Sequence, residues 1–283
     1  MGVGYKAVLW NNQKRVYDRI LWLGIMLFLI TYIVAQLILR PEITIETLII
    51  RATALCAFTL LHFILSIGPL ARINTRFLPL LYNRRHAGVS MFLIAAIHGI
   101  FSIIQFHSLG DKNPLISLFT SNQKYLEVSR FPFQTIGFLA LLILFAMAAT
   151  SHDFWLKNLS PKIWKSLHML VYIAYGLVVI HVATGAFQYE SNPGNWILLG
   201  LGFILISGLQ LVAGIKEVRQ LKINQKELNE KGYYKIGSIE DIPNNRAKIV
   251  FINGENIAIF RYDGKISAVH NVCKHQMGPL GEG

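Results

Sequence analysis

Residues 164–185 read WKSLHMLVYIAYGLVVIHVATG, and the reading of this stretch decides the fold. It is apolar over enough length to cross the ~30 Å hydrocarbon layer of a bilayer. It nevertheless carries two histidines, His168 and His181, with no acid or base between them. Thirteen helical residues separate the imidazoles by about 19.5 Å at 1.5 Å per residue. One therefore lies near a membrane face and the other well inside. Ionisable side chains are costly within a span and mark functional sites with partners elsewhere in the bundle. The bland alternative is a pair of neutral histidines hydrogen-bonded to neighbouring helices. A second helix with matching histidines favours the functional reading, and the chain has one.

Outward from this stretch the same character persists. The 283 residues are 53% hydrophobic and only 15% charged, with a mean hydropathy of +0.45. Soluble domains carry about a quarter charged residues, so an ordinary soluble protein is excluded. Six apolar runs approach the length of a span, near Ile20–Leu39, Leu48–Leu70, Ala87–Phe106, Phe133–Thr150, Ser166–Phe187 and Trp196–Ile215. The net charge of +12 is not gathered on one patch, so nucleic acid is not the expected partner; the lipid bilayer is.

Lys and Arg fall in alternate gaps. Lys6, Lys14, Arg15 and Arg19 precede the first run; Arg72, Arg76, Arg84 and Arg85 fill the second gap; Lys157, Lys162 and Lys165 the fourth. Lys216, Arg219, Lys222 and Lys226 follow the sixth run, while the first, third and fifth gaps are poorer. The positive-inside rule then puts both termini in the cytoplasm of a multi-pass cell-membrane protein. The N-terminus lacks a small-residue cleavage site, so no removable signal peptide is expected. Two distant cysteines, Cys56 and Cys273, make no disulfide framework; Cys56 reads as a small core hydrophobe.

From Lys216 the composition changes. Val218, Leu221, Gln225 and Leu228 share one face of a charged segment, which reads as a helical extension on or leaving the membrane surface. Beyond Gly232, KIVFING, NIAIFRYDG and KISAVHN are separated by Asn-Gly and Asp-Gly, strong hairpin signals. The expected organisation is a cytoplasmic segment over 1–19, a six-helix all-α bundle over 20–215, a helical linker over 216–231 and a small all-β domain over 232–283.

The third run opens RRHAGVSMFLIAAIHG and holds His86 and His98. It starts at the cytoplasm, as the fifth does, so depths compare directly. His86 and His168 stand at the cytoplasmic ends; His98 lies twelve residues further in and His181 thirteen. Two helices thus present two histidine levels in register, which suits one or two b-type haems held by imidazoles from both helices. Twelve or thirteen steps of about 100° do not return to one helix face, so two haems would sit at different azimuths or the helices would tilt. His62 in the second run reads as a hydrogen-bonded core histidine, His152 as a shallow-level competitor of His86, and His107 as a solvated boundary residue. No phosphate-binding loop, Ser–His–Asp arrangement or paired carboxylates are legible.

Arg84-Arg85-His86-Ala87-Gly88 with His98, Thr150-Ser151, and Trp164…Leu167-His168…Tyr172…His181 resemble the ferric-reductase-like transmembrane family over roughly residues 48–215. That family includes ferric reductases, NADPH oxidases and the haem subunit of a periplasmic methionine sulfoxide reductase. The resemblance implies b-type haem on histidine pairs and electron transfer across the membrane, with His98, His168 and His181 matching family ligands. His86 is the expected second shallow ligand.

The C-terminal VHNVCKHQMGPLGEG resembles the first ligand loop of a Rieske iron–sulfur domain. The resemblance implies that Cys273 and His275 bind different irons of a [2Fe–2S] cluster, with Gly278 and Leu280 in the loop packed over it. His270 is then a strand residue. A second Cys-x-x-His belongs downstream in such domains, so the all-β part is expected to be truncated.

These readings converge on a membrane oxidoreductase passing electrons between a cytoplasmic Rieske cluster and transmembrane haems. Flavin and nicotinamide domains found in ferric reductases and NADPH oxidases are not expected here. The alternative is a haem-bearing anchor exchanging electrons with quinone and a donor or acceptor protein. A third reading, a transporter relaying protons through its histidines, predicts no haem spectrum. A Rieske oxygenase is disfavoured, since no facial triad for mononuclear iron can be assembled.

Overall fold

The computed structural model describes residues 12–127, 130–189, 193–224, 233–242, 244, 246–252, 255–271 and 280–282. Helices form where the apolar runs stand. Helix α1 covers Asn12–Leu39 and stops before Arg40-Pro41, since the residue preceding proline disfavours the α conformation. Helix α2, Ile45–Ile73, opens on Thr44, whose hydroxyl accepts the Thr47 N–H, a common way to satisfy an orphan amide of the first turn. The short α3, Leu78–Tyr82, leads into α4, Arg84–His107. Helix α5, Pro114–Thr120, carries Pro at its first position and an Asn113 cap. Helices α6, Phe133–Ala149, α7, Asp153–Asn158, α8, Pro161–Met169, α9, Val171–Tyr189, and α10, Pro193–Asn224, complete the helical part.

Among the described residues five stretches are long and apolar enough to cross a membrane: Lys14–Leu39, Ile45–Ile73, Arg84–His107, Ile163–Gly185 and Trp196–Arg219. The remaining expected run, the fourth, falls on α6, an apolar helix of 17 residues, or about 25.5 Å. Two local features keep it short. Pro132 precedes it, and at the other end Thr150 Oγ1 donates to the Ala146 carbonyl (2.7 Å) and Ser151 Oγ to that of Met147 (2.8 Å). The fifth run also differs from the single helix expected. It breaks into α8 and α9 at Leu170, whose N–H donates to the Leu167 carbonyl at 3.1 Å, a 3₁₀-type tightening.

Helix α2 packs mainly on α4, α6 on α9, and α10 on α2. Their meeting point is one apolar cluster: Leu61 and Leu65 of α2, Met91 of α4, Leu144 of α6, Ala174 and Tyr175 of α9 and Ile206 of α10. A second cluster seats α1 through Ile25 against Cys56, Ala57 and Ile94; Cys56 is buried, as a small core hydrophobe should be. The outward faces are apolar too, with Leu23, Leu27, Ile38, Phe145 and Ile204 all exposed. Such an inside-out distribution suits hydrocarbon surroundings, where helix packing needs no hydrophobic contrast. The chain is a multi-pass membrane protein.

At the C-terminal end, strands β1 (Ala247–Ile252), β2 (Glu255–Tyr262) and β3 (Lys265–His270) form an antiparallel meander in that order. The β2–β3 turn is Asp263-Gly264, with φ of 48° and 73°. Both values are positive, as a two-residue type I′ hairpin turn requires. The Asn253-Gly254 turn lies outside the described residues. His270 closes β3 opposite Ile257, a strand residue as the sequence suggests.

Candidate functional site: facing histidines in the helix bundle

Helices α4 and α9 bring His98 and His181 together, with ring centroids 6.3 Å apart and planes at 75°. His98 Nδ1 lies 3.0 Å from the Ile50 carbonyl oxygen of α2, and His181 Nδ1 lies 2.7 Å from that of Phe133 at the start of α6. A carbonyl only accepts, so each Nδ1 carries the proton and each Nε2 keeps a free lone pair. Among the described residues neither Nε2 has a hydrogen-bond partner.

This arrangement fits a shared metal. With metal–nitrogen bonds of about 2 Å and roughly 1.1 Å from ring nitrogen to ring centre, two imidazoles facing across one metal have centres about 6.2 Å apart. Anchored Nδ1–H groups are also the usual way in which ligating histidines are oriented. Gly137 of α6 completes the cradle. A Cβ there would stand 2.5 Å from His181 Nδ1 and 2.7 Å from Cε1, so only glycine leaves the ring its room. The ring of Phe133 covers His181, centroid to centroid at 5.5 Å.

At the other level, His168 stacks on Trp164 of the same helix, with centroids 3.9 Å apart. Its Nδ1 donates to the Trp164 carbonyl at 3.0 Å. Its Nε2 lies 3.3 Å from Ser151 Oγ, whose hydroxyl is also 2.8 Å from the Met147 carbonyl. The serine has one proton for these two acceptors, so it gives it to one or the other. Arg85 donates to the Ser151 carbonyl at 3.2 Å, putting positive charge beside this level. His86, near the start of α4, turns Nδ1 to Asp18 of α1, 2.9 and 3.0 Å from its two carboxylate oxygens.

The remaining histidines are otherwise engaged. His62 donates from Nδ1 to the Phe58 carbonyl (2.8 Å) and takes the Tyr175 hydroxyl on Nε2 (3.1 Å). It also lies hard against Gly202 of α10, a satisfied core histidine as expected. His152 caps α7, accepting the Phe154 N–H at 3.2 Å, and is exposed. His107 corrects the sequence reading. It is not a solvated boundary residue but only 4% exposed. The short α5 folds over it, with Ser117 Oγ 3.0 Å from Nδ1. Nothing in the spacing of apolar residues announces so brief a covering helix.

Cys273 and His275 lie outside the described residues. The structure does fix the ends of their loop. Asn271, only 5% exposed, accepts the Leu280 N–H on its carbonyl (3.1 Å) and the Gly281 N–H on Oδ1 (2.7 Å). Asn271 and Leu280-Gly281 are thereby held together, and the Asn271 N–H donates to the Asn256 carbonyl of β2 at 2.6 Å. The groups missed by sequence reading are the acceptors: Ile50, Phe133 and Asp18.

Comparison with known proteins agrees with these two parts. Residues 51–179 match the ferric reductase like transmembrane component, and residues 232–283 match the Rieske [2Fe-2S] domain. The first match includes His86, His98 and His168; the second includes Cys273 and His275. The chain is 32% identical over 117 residues to the protein-methionine-sulfoxide reductase heme-binding subunit MsrQ of Herminiimonas arsenicoxydans, covering 41% of this chain and 49% of that protein. The same subunit of Xanthomonas axonopodis pv. citri is 30% identical over 129 residues, 46% of this chain and 54% of the relative. Magnetosome protein MamZ of Magnetospirillum gryphiswaldense is 29% identical over 140 residues, 48% of this chain and 19% of that protein. The chain spans about half the length of the MsrQ relatives it matches. The Rieske match indicates a [2Fe–2S] cluster, and the MsrQ relatives are named as haem-binding.

Proposed function

From a ferric-reductase-like transmembrane segment joined to a Rieske segment, we propose a cell-membrane oxidoreductase that moves electrons between a cytoplasmic [2Fe–2S] cluster and b-type haem within the bilayer. The observation that carries the reading is the His98–His181 pair, 6.3 Å between centroids with both Nδ1 atoms committed to backbone carbonyls. Such a pair presents two lone pairs to one iron. Haem bound there supplies a reversible one-electron couple inside an insulating layer.

In this reading His98 and His181 hold the deeper haem, and His168 with His86 a shallower one. Gly137 and Phe133 keep the His181 ring in place, and Trp164 does the same for His168. Cys273 and His275 supply two of the four ligands a Rieske cluster needs. The linker over 216–231 tethers the all-β domain (232–283) to the bundle (20–215), which makes exchange between them intramolecular.

The proposal includes six crossings with both termini cytoplasmic. Two contacts support counting α6 as a crossing. Its first residue meets His181 through the Phe133 carbonyl, and Ser151, just past its end, lies beside His168. Helix α6 therefore runs antiparallel to α8–α9 and covers the whole interval between the two histidine levels.

Flash photoreduction of the full-length protein in inside-out vesicles tests the function. A soluble flavin photoreductant should reduce cluster and haem together, at a rate independent of protein concentration. Cys273→Ser should retain haem but lose the fast phase. Equal haem reduction in that variant would take the Rieske segment off the path and favour a quinone-linked anchor.

A further inference from the structure

The basic gap between the second and third apolar runs supplies two arginines, Arg72 and Arg84, to one polar cluster at the end of the bundle. Arg72, in the last turn of α2, donates from Nη2 to Gln210 Oε1 of α10 at 3.0 Å and from Nη1 to Glu217 at 3.3 Å. A guanidinium only donates, so the Gln210 oxygen must face it. The amide N–H groups of Gln210 then turn to the Tyr172 hydroxyl of α9, 3.0 Å away. Tyr172 therefore accepts, and its own proton is left to donate. Among the described residues nothing takes that proton.

Arg84, the exposed first residue of α4, comes to the same place. Its Nη1 lies 3.6 Å from where a Cβ on Gly68 would stand. Gly68 precedes Arg72 by one helical turn, so both lie on one face of α2. Tyr172 and Arg72 are within electrostatic reach of the Arg84 guanidinium. Glu217 answers the charge of Arg72; among the described residues no acid and no hydrogen-bond acceptor answers that of Arg84. Two guanidinium groups and a phenol hydroxyl thus gather with an acceptor missing between them.

A phosphate matches this deficit, since a guanidinium fork meets phosphate oxygens in two parallel bonds. The surroundings say which phosphate. The Arg72 side chain is 45% exposed and Tyr172 41%, so the cluster lies at the bundle surface. From Gln210 a shallow apolar groove continues along α10 past Leu211, Gly214 and Ile215 to Val218. Leu211, Ile215 and Val218 are themselves exposed, and in a bilayer such a surface meets acyl chains.

We propose that Arg84, Tyr172 and Arg72 bind the phosphodiester headgroup of an anionic phospholipid, with an acyl chain laid along α10 from Gln210. Basic pockets between helices at a membrane boundary hold anionic headgroups in this way. A lipid held there ties α4 to α2, α9 and α10. The inference does not depend on which histidines ligate haem.

The test is native mass spectrometry of the full chain in micelles supplied with phosphatidylglycerol or phosphatidylcholine, with haem per chain read in parallel. The wild type should retain phosphatidylglycerol in preference to phosphatidylcholine. Arg84→Gln should weaken phosphatidylglycerol about tenfold, the scale of one lost charge-assisted hydrogen bond, with haem content unchanged; Tyr172→Phe should weaken it by less. Arg84→Lys keeps the charge without the fork and should recover only part of the affinity. Arg76→Gln removes a charge from the same gap, outside the cluster, and should bind as wild type. An equal loss in Arg76→Gln, or full recovery in Arg84→Lys, would reduce the effect to surface charge and overturn the site. Displacement of the lipid by inorganic phosphate at equal concentration would show that the acyl chains contribute nothing, and would overturn the lipid assignment. His168 also lies within electrostatic reach of Arg84, which makes a haem carboxylate the rival occupant. If Arg84→Gln loses haem while phosphatidylglycerol binding is unchanged, that rival is correct and the proposal falls.

Discussion

Replacing Gly137 by alanine adds one methyl group, and the structure says where it goes. The new Cβ stands 2.5 Å from Nδ1 and 2.7 Å from Cε1 of His181. Ordinary carbon contacts lie at about 3.5–4.0 Å, so the ring must withdraw by about 1 Å. Its Nδ1 donates to the Phe133 carbonyl at 2.7 Å, and a withdrawal of that size takes the bond past the useful range. The loss costs about 1 kcal/mol for the bond, set against a gain of about 0.5–1 kcal/mol from alanine in a helix interior. Global stability should therefore change little. Haem should not be so tolerant, because disturbing the group that orients a ligand costs about 10–100-fold in affinity.

The assay is haem per purified chain over a titration, with the low-spin b-type spectrum as readout. Gly137→Ala should weaken the deep haem on that scale, and His98→Ala and His181→Ala should remove it. Gly176→Ala, on α9 with nothing within 4 Å of its added Cβ, should bind as wild type. His107→Ala, beneath α5, should leave the spectrum intact. Full haem content and an unshifted spectrum in Gly137→Ala would refute the reasoning, since the ring could not then be held where it is.

Two further predictions follow. A membrane-impermeant maleimide applied outside intact cells should label Lys112→Cys and miss Arg76→Cys, in a background lacking Cys273; the reverse pattern would overturn both the orientation and the depth matching. In the all-β part, Asp241 accepts the Ser238 N–H at 2.9 Å, and this bond, then Lys248, holds its carboxyl below the usual range. A lowered pKa contributes stability that is present above the unfolded value and lost as pH falls through the folded one. The protection factor of the Ser238 amide, its exchange rate divided into the intrinsic rate at each pH, should accordingly fall in acid below the ordinary carboxylate pKa, and Asp241→Asn should remove that dependence; an unchanged profile in the variant would sink the assignment.

The sequence carried the helices because each is a long apolar run between basic gaps, a pattern that survives any packing. It carried β2 and β3 because Asp263-Gly264 can take two positive φ angles where few other pairs can. It placed α6 to within one residue, the helix ending at Ala149 where Thr150 and Ser151 turn their hydroxyls back on α6. It also gave 166–187 as one helix. The 3₁₀ step at Leu170 has no proline or glycine to announce it; it separates His168 and His181 onto different helical segments, whereas His86 and His98 share the unbroken α4.

The site divides along the same line. Depth in a helix is a count of residues, so His98 and His181 could be matched before any coordinates. What orients them could not. Ile50 and Phe133 accept through the backbone carbonyl, a group every residue possesses, so neither side chain hints at the role. Gly137 is equally silent, being one glycine among several in apolar helices. Asp18 is the exception, an acid four residues after Lys14 and at the lip of a span, where an unpaired carboxylate is costly. Across the seam α4 supplies a partner in His86. An acid at a membrane boundary is thus a legible pointer to how a histidine is held.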